Sequence, residues 1–438
     1  MKVGFISLGC SKNLVDTEMT IGLFKNNNFE IVNDVEKAEI IVINTCGFIE
    51  SAKQEAIDTI LEMSEYKETG KCKYLIVMGC LVQRYKAELE KAIPEVDLFI
   101  SIDEYNNLWN KVSKLINIDN SNICNELKYI DRVISTGNKT AYLKIAEGCS
   151  NKCTYCAIPY IRGPYVSRKL EDILEEAKKL SKKGIEELIV IAQDTTRYGE
   201  DIYGKSRLSE LLNELCKIQG LKWIRFLYAY PESITDELIE TVKKNDKICN
   251  YFDIPIQHIS DSVLKRMNRR TTGQKIEDLI KKIKAEIPDV VLRTSLIVGF
   301  PGETEEDFEK LYSFVKKGYF GKLGVFIYSK EEGTPAARLK EQVHHNTKKR
   351  RHNKIMSIAK DISNKNLESY IGNTYEVLIE NITFDNKFYI GRSYMDIPET
   401  DGTVIIRNSK DNLLGKFIKC KITDVNNYDL IGEIIEKK

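Results

Sequence analysis

The chain contains, at residues 147–156, the stretch Glu147-Gly148-Cys149-Ser150-Asn151-Lys152-Cys153-Thr154-Tyr155-Cys156. It follows the apolar run 141–145, which has the composition of a buried strand. The spacing CxxxCxxC places three thiols on one tight loop, close enough to bind three corners of a 4Fe–4S cube. Electron-transfer clusters commonly use four cysteines, and the next cysteine along the chain is Cys216. One iron would stay open, as is typical of a catalytic metal site.

Two other interpretations of this loop explain less. A zinc site needs a fourth Cys or His at close spacing, and the four histidines all lie far away in sequence, at positions 258, 344, 345 and 352. A group of cysteines that merely fills a core would not require Gly148 before it or a strand-to-helix loop around it. The loop therefore predicts an iron–sulfur site.

Composition and charge narrow the class of protein. The chain has 438 residues, 42% of them apolar, and a formal net charge of +1, which argues against binding DNA or RNA through bulk electrostatics. No apolar run approaches the roughly 20 residues that span a bilayer. Ser7-Leu8-Gly9-Cys10 resembles a lipoprotein cleavage site, but the apolar stretch before it is shorter than the core of about 7–15 residues in a signal peptide. We expect a cytoplasmic protein with no membrane partner, in which the eleven cysteines act as ligands, catalytic groups or core residues.

The region around the cysteine loop, residues 138–366, alternates strands with helical patterns. Its candidate strands span residues 141–145, 188–192, 223–228, 252–256, 291–298 and 323–328, and examples of its helices are 170–183 and 305–317. Six such units predict a partial (βα)6 barrel, with its chemistry on the loops that follow the strands. The basic run 348–351 opens a long helical pattern, so we interpret it as a solvated helix face rather than a localisation signal.

The preceding region, residues 1–125, predicts a doubly wound parallel sheet. The candidate strands are 3–8, 39–43, 74–78 and 96–100, and the candidate helices include 16–25 and 50–66. The first three strands are followed closely by Cys10, Cys46 and Cys80. Because the carboxyl ends of parallel strands lie at one edge of a sheet, we expect these thiols to meet there. The alternative is three separate buried thiols.

The last region, residues 370–438, changes to short strands separated by Gly, Asn and Asp. These strands are predicted at 375–380, 388–394, 403–407, 416–425 and 430–435. Five strands in so short a segment predict a small antiparallel β-barrel of the oligonucleotide-binding (OB) type. A domain dedicated to binding RNA should be basic, but residues 371–438 hold nine Lys and Arg against eleven Asp and Glu.

The cysteine loop, with an aromatic residue before its last cysteine, resembles that of the radical S-adenosylmethionine superfamily. In that superfamily S-adenosylmethionine chelates the open iron, and an electron from the cluster cleaves it to a 5′-deoxyadenosyl radical. The resemblance implies a 4Fe–4S cluster on Cys149, Cys153 and Cys156, reduced by a flavodoxin- or ferredoxin-like donor. Tyr155 and Gln193 are candidate contacts of S-adenosylmethionine, and ordinary loop packing is the alternative for both.

Three spaced cysteines before the radical domain and a small β-barrel after it are similar to the methylthiotransferase family along essentially the whole chain. This resemblance implies an N-terminal cluster domain at 1–125, a radical SAM domain at 138–366 and a TRAM domain at 370–438. It also implies a second 4Fe–4S cluster on Cys10, Cys46 and Cys80, where sulfur from a separate source is methylated. The remaining cysteines, at positions 72, 124, 216, 249 and 420, are expected to be structural.

Four stretches resemble the branch that thiomethylates the β-carbon of an aspartate in ribosomal protein S-twelve of the small subunit. They are residues 7–16, 147–149, 192–199 and 391–394. The alternative branch modifies an adenosine in tRNA, and it typically shows Gly-Cys-Gln-Met-Asn at the first stretch and Asn in place of Asp194. One departure is Tyr165, where the family often has a basic residue. A non-enzymatic RNA-binding module would not account for six cysteines in two triads.

Overall fold

The structure is a computed structural model that describes residues 1–118, 124–137, 139–408 and 412–435. Its elements fall into three groups that follow the order of the predicted regions. Residue 138, where the second region was predicted to begin, and residues 436–438, where the third was predicted to end, lie outside the described residues. In the described part of the chain, no helix is both long enough and apolar enough to cross a membrane.

The first group is a five-stranded parallel sheet in the order β2-β1-β3-β4-β5. Its strands are β1 (Lys2–Ser7), β2 (Glu30–Val32), β3 (Ile40–Thr45), β4 (Tyr74–Gly79) and β5 (Leu98–Ile100). Its helices are α1 (Ser11–Asn26), α2 (Glu50–Ser64), α3 (Tyr66–Thr69), α4 (Cys80–Ala92) and α5 (Leu108–Leu115). Alternate residues of β3 enter two different cores: Ile41 and Ile43 face one, and Ile40 and Val42 the other. Both faces are covered, which explains the continuous apolar strands and confirms the doubly wound prediction.

The second group is the partial barrel, built from two three-stranded parallel sheets in the orders β10-β9-β6 and β11-β12-β13. Its strands are β6 (Thr140–Lys144), β7 (Ala146–Glu147), β8 (Val166–Ser167), β9 (Glu187–Ile191), β10 (Trp223–Phe226), β11 (Tyr251–Asp253), β12 (Val291–Val298) and β13 (Lys322–Ile327). Its helices are α6 (Ile158–Arg162), α7 (Leu170–Lys182), α8 (Glu200–Tyr203), α9 (Leu208–Cys216), α10 (Asp236–Lys244), α11 (Asp261–Arg266), α12 (Gly273–Glu286), α13 (Glu305–Lys316) and α14 (His345–Glu368). A parallel bridge between Ile224 and Ile248 joins the two sheets, and β7 and β8 form a short antiparallel ribbon beside the cysteine loop. The six parallel strands β6, β9, β10, β11, β12 and β13 confirm the predicted barrel.

The third group is a closed five-stranded barrel in the order β14-β15-β16-β18-β17. Its strands are β14 (Thr374–Ile382), β15 (Phe388–Arg392), β16 (Val404–Arg407), β17 (Phe417–Asn426) and β18 (Asp429–Ile434). Four neighbouring pairs are antiparallel, but β16 and β18 run parallel. A ring with an odd number of strands cannot alternate direction all the way round, so closure requires one parallel pair, which the prediction of a purely antiparallel barrel did not include.

The small barrel lies against the inner face of the partial barrel. Residues Leu188 and Val190 of β9 face the outer helices, whereas Ile189 and Ile191 pack in a core shared with the small barrel. Trp223 meets Phe417 edge-on, with ring centroids 4.8 Å apart. The last group of strands therefore covers surface that the open barrel would otherwise leave exposed.

Helix α14 corrects one prediction about charge. The basic run 348–351 lies on this helix, as predicted, but two of its four residues are buried. Lys348 donates to the carbonyl oxygen of Tyr328 at 3.1 Å, and Arg351 donates to the carboxylate of Glu303 at 3.0 Å. The face that carries Lys348 and Arg351 is therefore packed against the partial barrel, whereas Lys349 and Arg350 are exposed as predicted.

Candidate active site

The first cysteine triad lies at the carboxyl edge of the N-terminal sheet. Cys10 precedes α1, Cys46 follows β3, and Cys80 is the first residue of α4, directly after β4. A Cβ atom at Gly9 would lie 2.6 Å from the Cβ of Cys46, and the φ angle of Gly9 is +86°. Only glycine can make this turn while the neighbouring strand end is so close. The predicted convergence of the three strand ends is therefore present.

The three thiols of this edge influence one another electrostatically. Burial raises the pKa of Cys46, and it raises the pKa of Cys80 to about 12, with the neighbouring thiols adding to the effect at both residues. Cys10 is exposed, while Cys46 and Cys80 are buried. Since the thiolate is the ligand form, bound positive charge would be needed to hold the three groups ionised together.

The second triad lies on the loop after β6 and β7. A Cβ atom at Gly148 would lie 2.0 Å from the carbonyl oxygen of Pro164, so the loop can pass here only with glycine. The amide of Cys149 donates to the carbonyl of Gly163 at 3.1 Å, and that of Cys156 donates to the carbonyl of Cys153 at 3.1 Å. These bonds hold the loop in a tight turn before α6.

The thiols of this loop also act on one another. Burial raises the pKa of Cys149 to about 11 and the pKa of Cys156 to about 12, and the Cys153 thiol adds to both. All eleven cysteines are free. Within the described ranges, no group of three or more His, Cys, Asp or Glu side chains is spaced to hold a single metal ion.

Helix α6, which begins two residues after Cys156, packs against the first triad. Cys80 of the first triad packs against Ala157 and Ile161 of the segment that directly follows Cys156. The segment that directly follows the second triad thus packs against the first triad. This proximity was not predicted, because the residues come from different regions of the chain.

Arg162, at the end of α6, connects the two sites through a buried polar network. Its guanidinium donates to the Cys80 sulfur at 3.6 Å, to Asp16 at 3.0 Å and to Glu147 at 2.9 Å. Lys144 pairs with the same two carboxylates. Burial works to raise the pKa of Glu147, but Lys144 and Arg162 outweigh it and hold the pKa well below its usual range. The network is therefore ionised and fixes the approach of the two domains.

The two candidate contacts of S-adenosylmethionine, Gln193 and Tyr155, differ in their environment: the first has a polar atom that is unpartnered in the described structure, and the second packs in an apolar cluster. The side-chain oxygen of Gln193, just past β9, is buried and has no hydrogen-bond partner within the described residues. Tyr155 is half-buried and packs against the apolar cluster that contains Met267 and Phe300; burial, and then the Cys153 thiol, raise its pKa well above the usual value. The unpartnered oxygen of Gln193 suits a polar ligand, and both assignments stay predictions.

Asp194, which follows β9, is hydrogen-bonded to the cysteine loop. Asn151 of the loop donates to the carboxylate of Asp194 at 2.7 Å, and burial raises the pKa of Asp194 to about 6. Tyr165, the departure from the family pattern, is buried, and its hydroxyl donates to the carbonyl of Asp194 at 2.9 Å. At this position the hydroxyl group therefore supplies a hydrogen bond to the segment that follows β9.

Family models match all three parts of the chain. The Radical SAM superfamily matches residues 143–315, the Uncharacterized protein family UPF0004 matches residues 2–101, and the TRAM domain matches residues 371–435. Among solved structures, TsrM, a radical S-adenosylmethionine methyltransferase from Kitasatospora setae with cobalamin and a [4Fe-4S] cluster bound, is 13% identical, with a TM-score of 0.57 and 76% of each chain covered. The cobalamin-dependent radical enzyme OxsB has a TM-score of 0.52 at 14% identity and covers 83% of this chain and 56% of its own. These structures share the fold.

Sequence relatives are much more similar. A protein of Alkaliphilus oremlandii (strain OhILAs) named ribosomal protein uS12 methylthiotransferase RimO is 65% identical, with 99% of both chains covered. Proteins of the same name from Clostridioides difficile (strain 630) and Acetivibrio thermocellus are 51% and 49% identical; the first covers 99% of each chain, the second 100% of this chain and 99% of its own. Together with the fold and the cysteine loop, these matches show that the chain belongs to the uS12 methylthiotransferase RimO family and is a radical SAM methylthiotransferase, an iron–sulfur enzyme that uses S-adenosylmethionine.

Proposed function

We propose that this enzyme adds a methylthio group to the β-carbon of an aspartate in ribosomal protein uS12, the protein S-twelve of the small subunit. The names of the relatives support the substrate. The observation that carries the proposal is the packing of Cys80 against Ala157, the residue that directly follows Cys156, which brings the two thiol triads close together. A reaction that joins sulfur to an unactivated carbon needs a radical source and a sulfur donor close together, and the two triads meet that need.

We assign the ligands of two 4Fe–4S clusters to the triads, within domains at residues 1–125, 138–366 and 370–438. Cys10, Cys46 and Cys80 would hold one cluster, and Cys149, Cys153 and Cys156 the other. The donor sets fit, because each consists only of thiols, the preferred ligands of iron–sulfur clusters, on glycine-lined turns. When bound, the clusters and S-adenosylmethionine supply the radical that removes hydrogen from the substrate and the sulfur that replaces it.

The chain's own residues position and isolate this chemistry. Gln193 has a buried oxygen free to bind S-adenosylmethionine beside the second triad, and Tyr155 closes the loop against α11. Arg162 holds Cys80 and Glu147 in fixed positions on either side of α6. The apolar residues Ala157 and Ile161 pack against Cys80 and exclude water from this contact.

The proposal also specifies partners and location. A flavodoxin- or ferredoxin-like protein would supply electrons, and a separate sulfur source would renew the sulfur that is transferred. The reaction would take place in the cytoplasm, where ribosomal proteins are made. The small barrel carries no excess of basic residues, which suits a basic ribosomal protein at least as well as RNA.

Mass spectrometry of uS12 from cells with and without this gene tests the proposal. We expect the protein to gain about 46 mass units, one methylthio group in place of one hydrogen, only when the gene is present. The purified enzyme should produce the same change on isolated uS12 without RNA. An increment found on tRNA nucleosides alone would contradict the assigned substrate but not the radical chemistry.

A further inference from the structure

Lys12 is a buried lysine that has no carboxylate partner among the described residues. It is the second residue of α1, two positions after Cys10, and only 5% of its surface is exposed. Its ammonium nitrogen lies 3.0 Å from the centroid of the Tyr228 ring. The nearby carboxylate of Asp16 is already bound by Lys144 and Arg162, and Lys12 forms no ion pair in the part of the chain that the structure describes.

The neighbouring buried basic side chains, unlike Lys12, all have carboxylate partners. Arg162 and Lys144 share the carboxylates of Asp16 and Glu147, and Arg269 pairs with Glu232 at 3.1 Å. Burying a charge without a counter-ion is costly, and the attraction of an aromatic face offsets only part of that cost. An unpaired lysine in this position indicates that the missing anion arrives with a ligand.

The contact between Lys12 and Tyr228 indicates that this ligand binds at the carboxyl edge of the partial barrel. Tyr228 follows β10 at the same barrel edge as Gln193, and its backbone, at a φ angle of +61°, is held by a 2.9 Å hydrogen bond from its amide to Asp253. Lys12 approaches this edge from the side of the first triad. The first turn of α1 contains no acidic residue, so the partial positive charge of the helix N-terminus is also unneutralised.

We propose that Lys12 binds the side-chain carboxylate of the substrate aspartate. This inference rests on the proposed function and names the group that selects the residue to be modified. The carboxylate is attached directly to the carbon that receives the methylthio group, so a cation two residues after Cys10 and over the Tyr228 ring would fix that carbon with respect to the first triad and the barrel edge. The same contact distinguishes aspartate from asparagine, which carries no charge.

A comparison of two substrates with matched enzyme variants tests this proposal. The cluster-loaded enzyme is titrated with uS12 and with uS12 in which the target aspartate is replaced by asparagine. We expect the wild type to bind the aspartate form about 30-fold more tightly, the effect of a close charge pair in an interface. Lys12→Met, similar in length but neutral, should bind both forms equally, and Lys12→Arg should recover most of the preference. Lys25→Met, at the exposed end of the same helix, should behave as the wild type.

Three results would overturn the proposal. The first is an unchanged preference for aspartate in Lys12→Met, and the second is an equal loss of affinity for both forms, as expected if Lys12 binds S-adenosylmethionine. The third is the loss of about half of the bound iron in Lys12→Met, since the lysine would then serve the cluster of the first triad. If the wild type fails to modify uS12 at all, the proposed function itself is wrong.

Discussion

Cys10 and Cys149 are chemically identical side chains in different positions, so replacing each one should stop a different step. In Cys149→Ala the second cluster loses a ligand, and reductive cleavage of S-adenosylmethionine to 5′-deoxyadenosine should stop. In Cys10→Ala this cleavage should continue while thiomethylation disappears, because only the first cluster, which would hold the transferred sulfur, loses a ligand. Product analysis after reduction distinguishes the two, and equal loss of cleavage in both folded variants would contradict the assignment.

The cysteines could be predicted from the sequence, but the polar residues around them could not. Three thiols within eight positions form a pattern that can be seen in the sequence. The same is true of three thiols that each follow a predicted strand. Arg162 and Lys12 have no such pattern, since their contacts are with Cys80 and Tyr228, in other parts of the chain. The exposed or buried state of a single basic residue depends on tertiary packing, which composition does not reveal.

Helix α14 offers a matched pair of arginines for a stability test. The side chain of Arg350 is 62% exposed, whereas that of Arg351 is 4% exposed and binds the carboxylate of Glu303. We expect Arg351→Ala to cost about 3–5 kcal/mol, because a buried carboxylate loses its partner. Arg350→Ala should change stability by less than about 0.5 kcal/mol. Urea denaturation measures both.

The pH dependence of the same pair follows from Glu303. Burial raises the pKa of this carboxyl to about 7, although Arg351 opposes the shift. Without the guanidinium the pKa should rise further, so the folded variant keeps its proton while the unfolded chain loses it. The cost of Arg351→Ala should therefore grow as the pH rises above 7. A cost that stays constant up to pH 9 would show that Glu303 is not the residue responsible.

Among the elements, long apolar strands were predicted best and polar helix starts worst. The strand Val291–Val298 has the predicted limits. The strand Glu30–Val32 was not predicted, because it is a three-residue edge strand without a buried residue. Helix α1 begins at Ser11 rather than near Asp16, since its first polar residues, including Lys12, are buried against the partial barrel, and apolar periodicity cannot detect them.

For the whole molecule, the iron content tests the two-cluster assignment. Anaerobically reconstituted enzyme should bind about eight irons, four for each cube. Replacing Cys10, Cys46 and Cys80 together should remove about half, and replacing the other triad the other half. Iron analysis and the brown cluster absorption measure this. A wild type that binds only about four irons after full reconstitution would leave one triad without a cluster.

The small barrel is attached by a buried ion pair that can be tested separately. Arg392 donates to Glu187 of β9 at 2.6 Å, and both side chains are buried. Arg392→Met should cost about 3–5 kcal/mol by leaving Glu187 poorly compensated, whereas Arg407→Met, at an exposed position of the same barrel, should have little effect. Thermal unfolding measures both. Equal unfolding temperatures for the two variants would mean that this ion pair does not stabilise the interface.

The order of the three domains could be predicted from sequence, but their packing could not. The stretch 391–394 was noted as a branch resemblance, and the structure gives it a structural role: Arg225 donates to the carbonyl of Tyr394 at 2.6 Å, next to the pair of Arg392 with Glu187. Deleting the small barrel would expose the inner face of the partial barrel, so deletion is not a clean test of substrate binding. Contacts that join residues over 150 positions apart leave no local signal.

The network of Arg162 also limits how this chain can be recombined. The guanidinium comes from the second region, while Asp16 and Cys80, which it binds, come from the first. If an N-terminal domain from another radical enzyme had no carboxylate at the position of Asp16, the buried cations Arg162 and Lys144 would have to share Glu147 alone. The two domains are therefore interchangeable only as a pair. A graft that transfers the first and second regions together should keep the site intact. A graft that joins the first region of one enzyme to the second region of another should not.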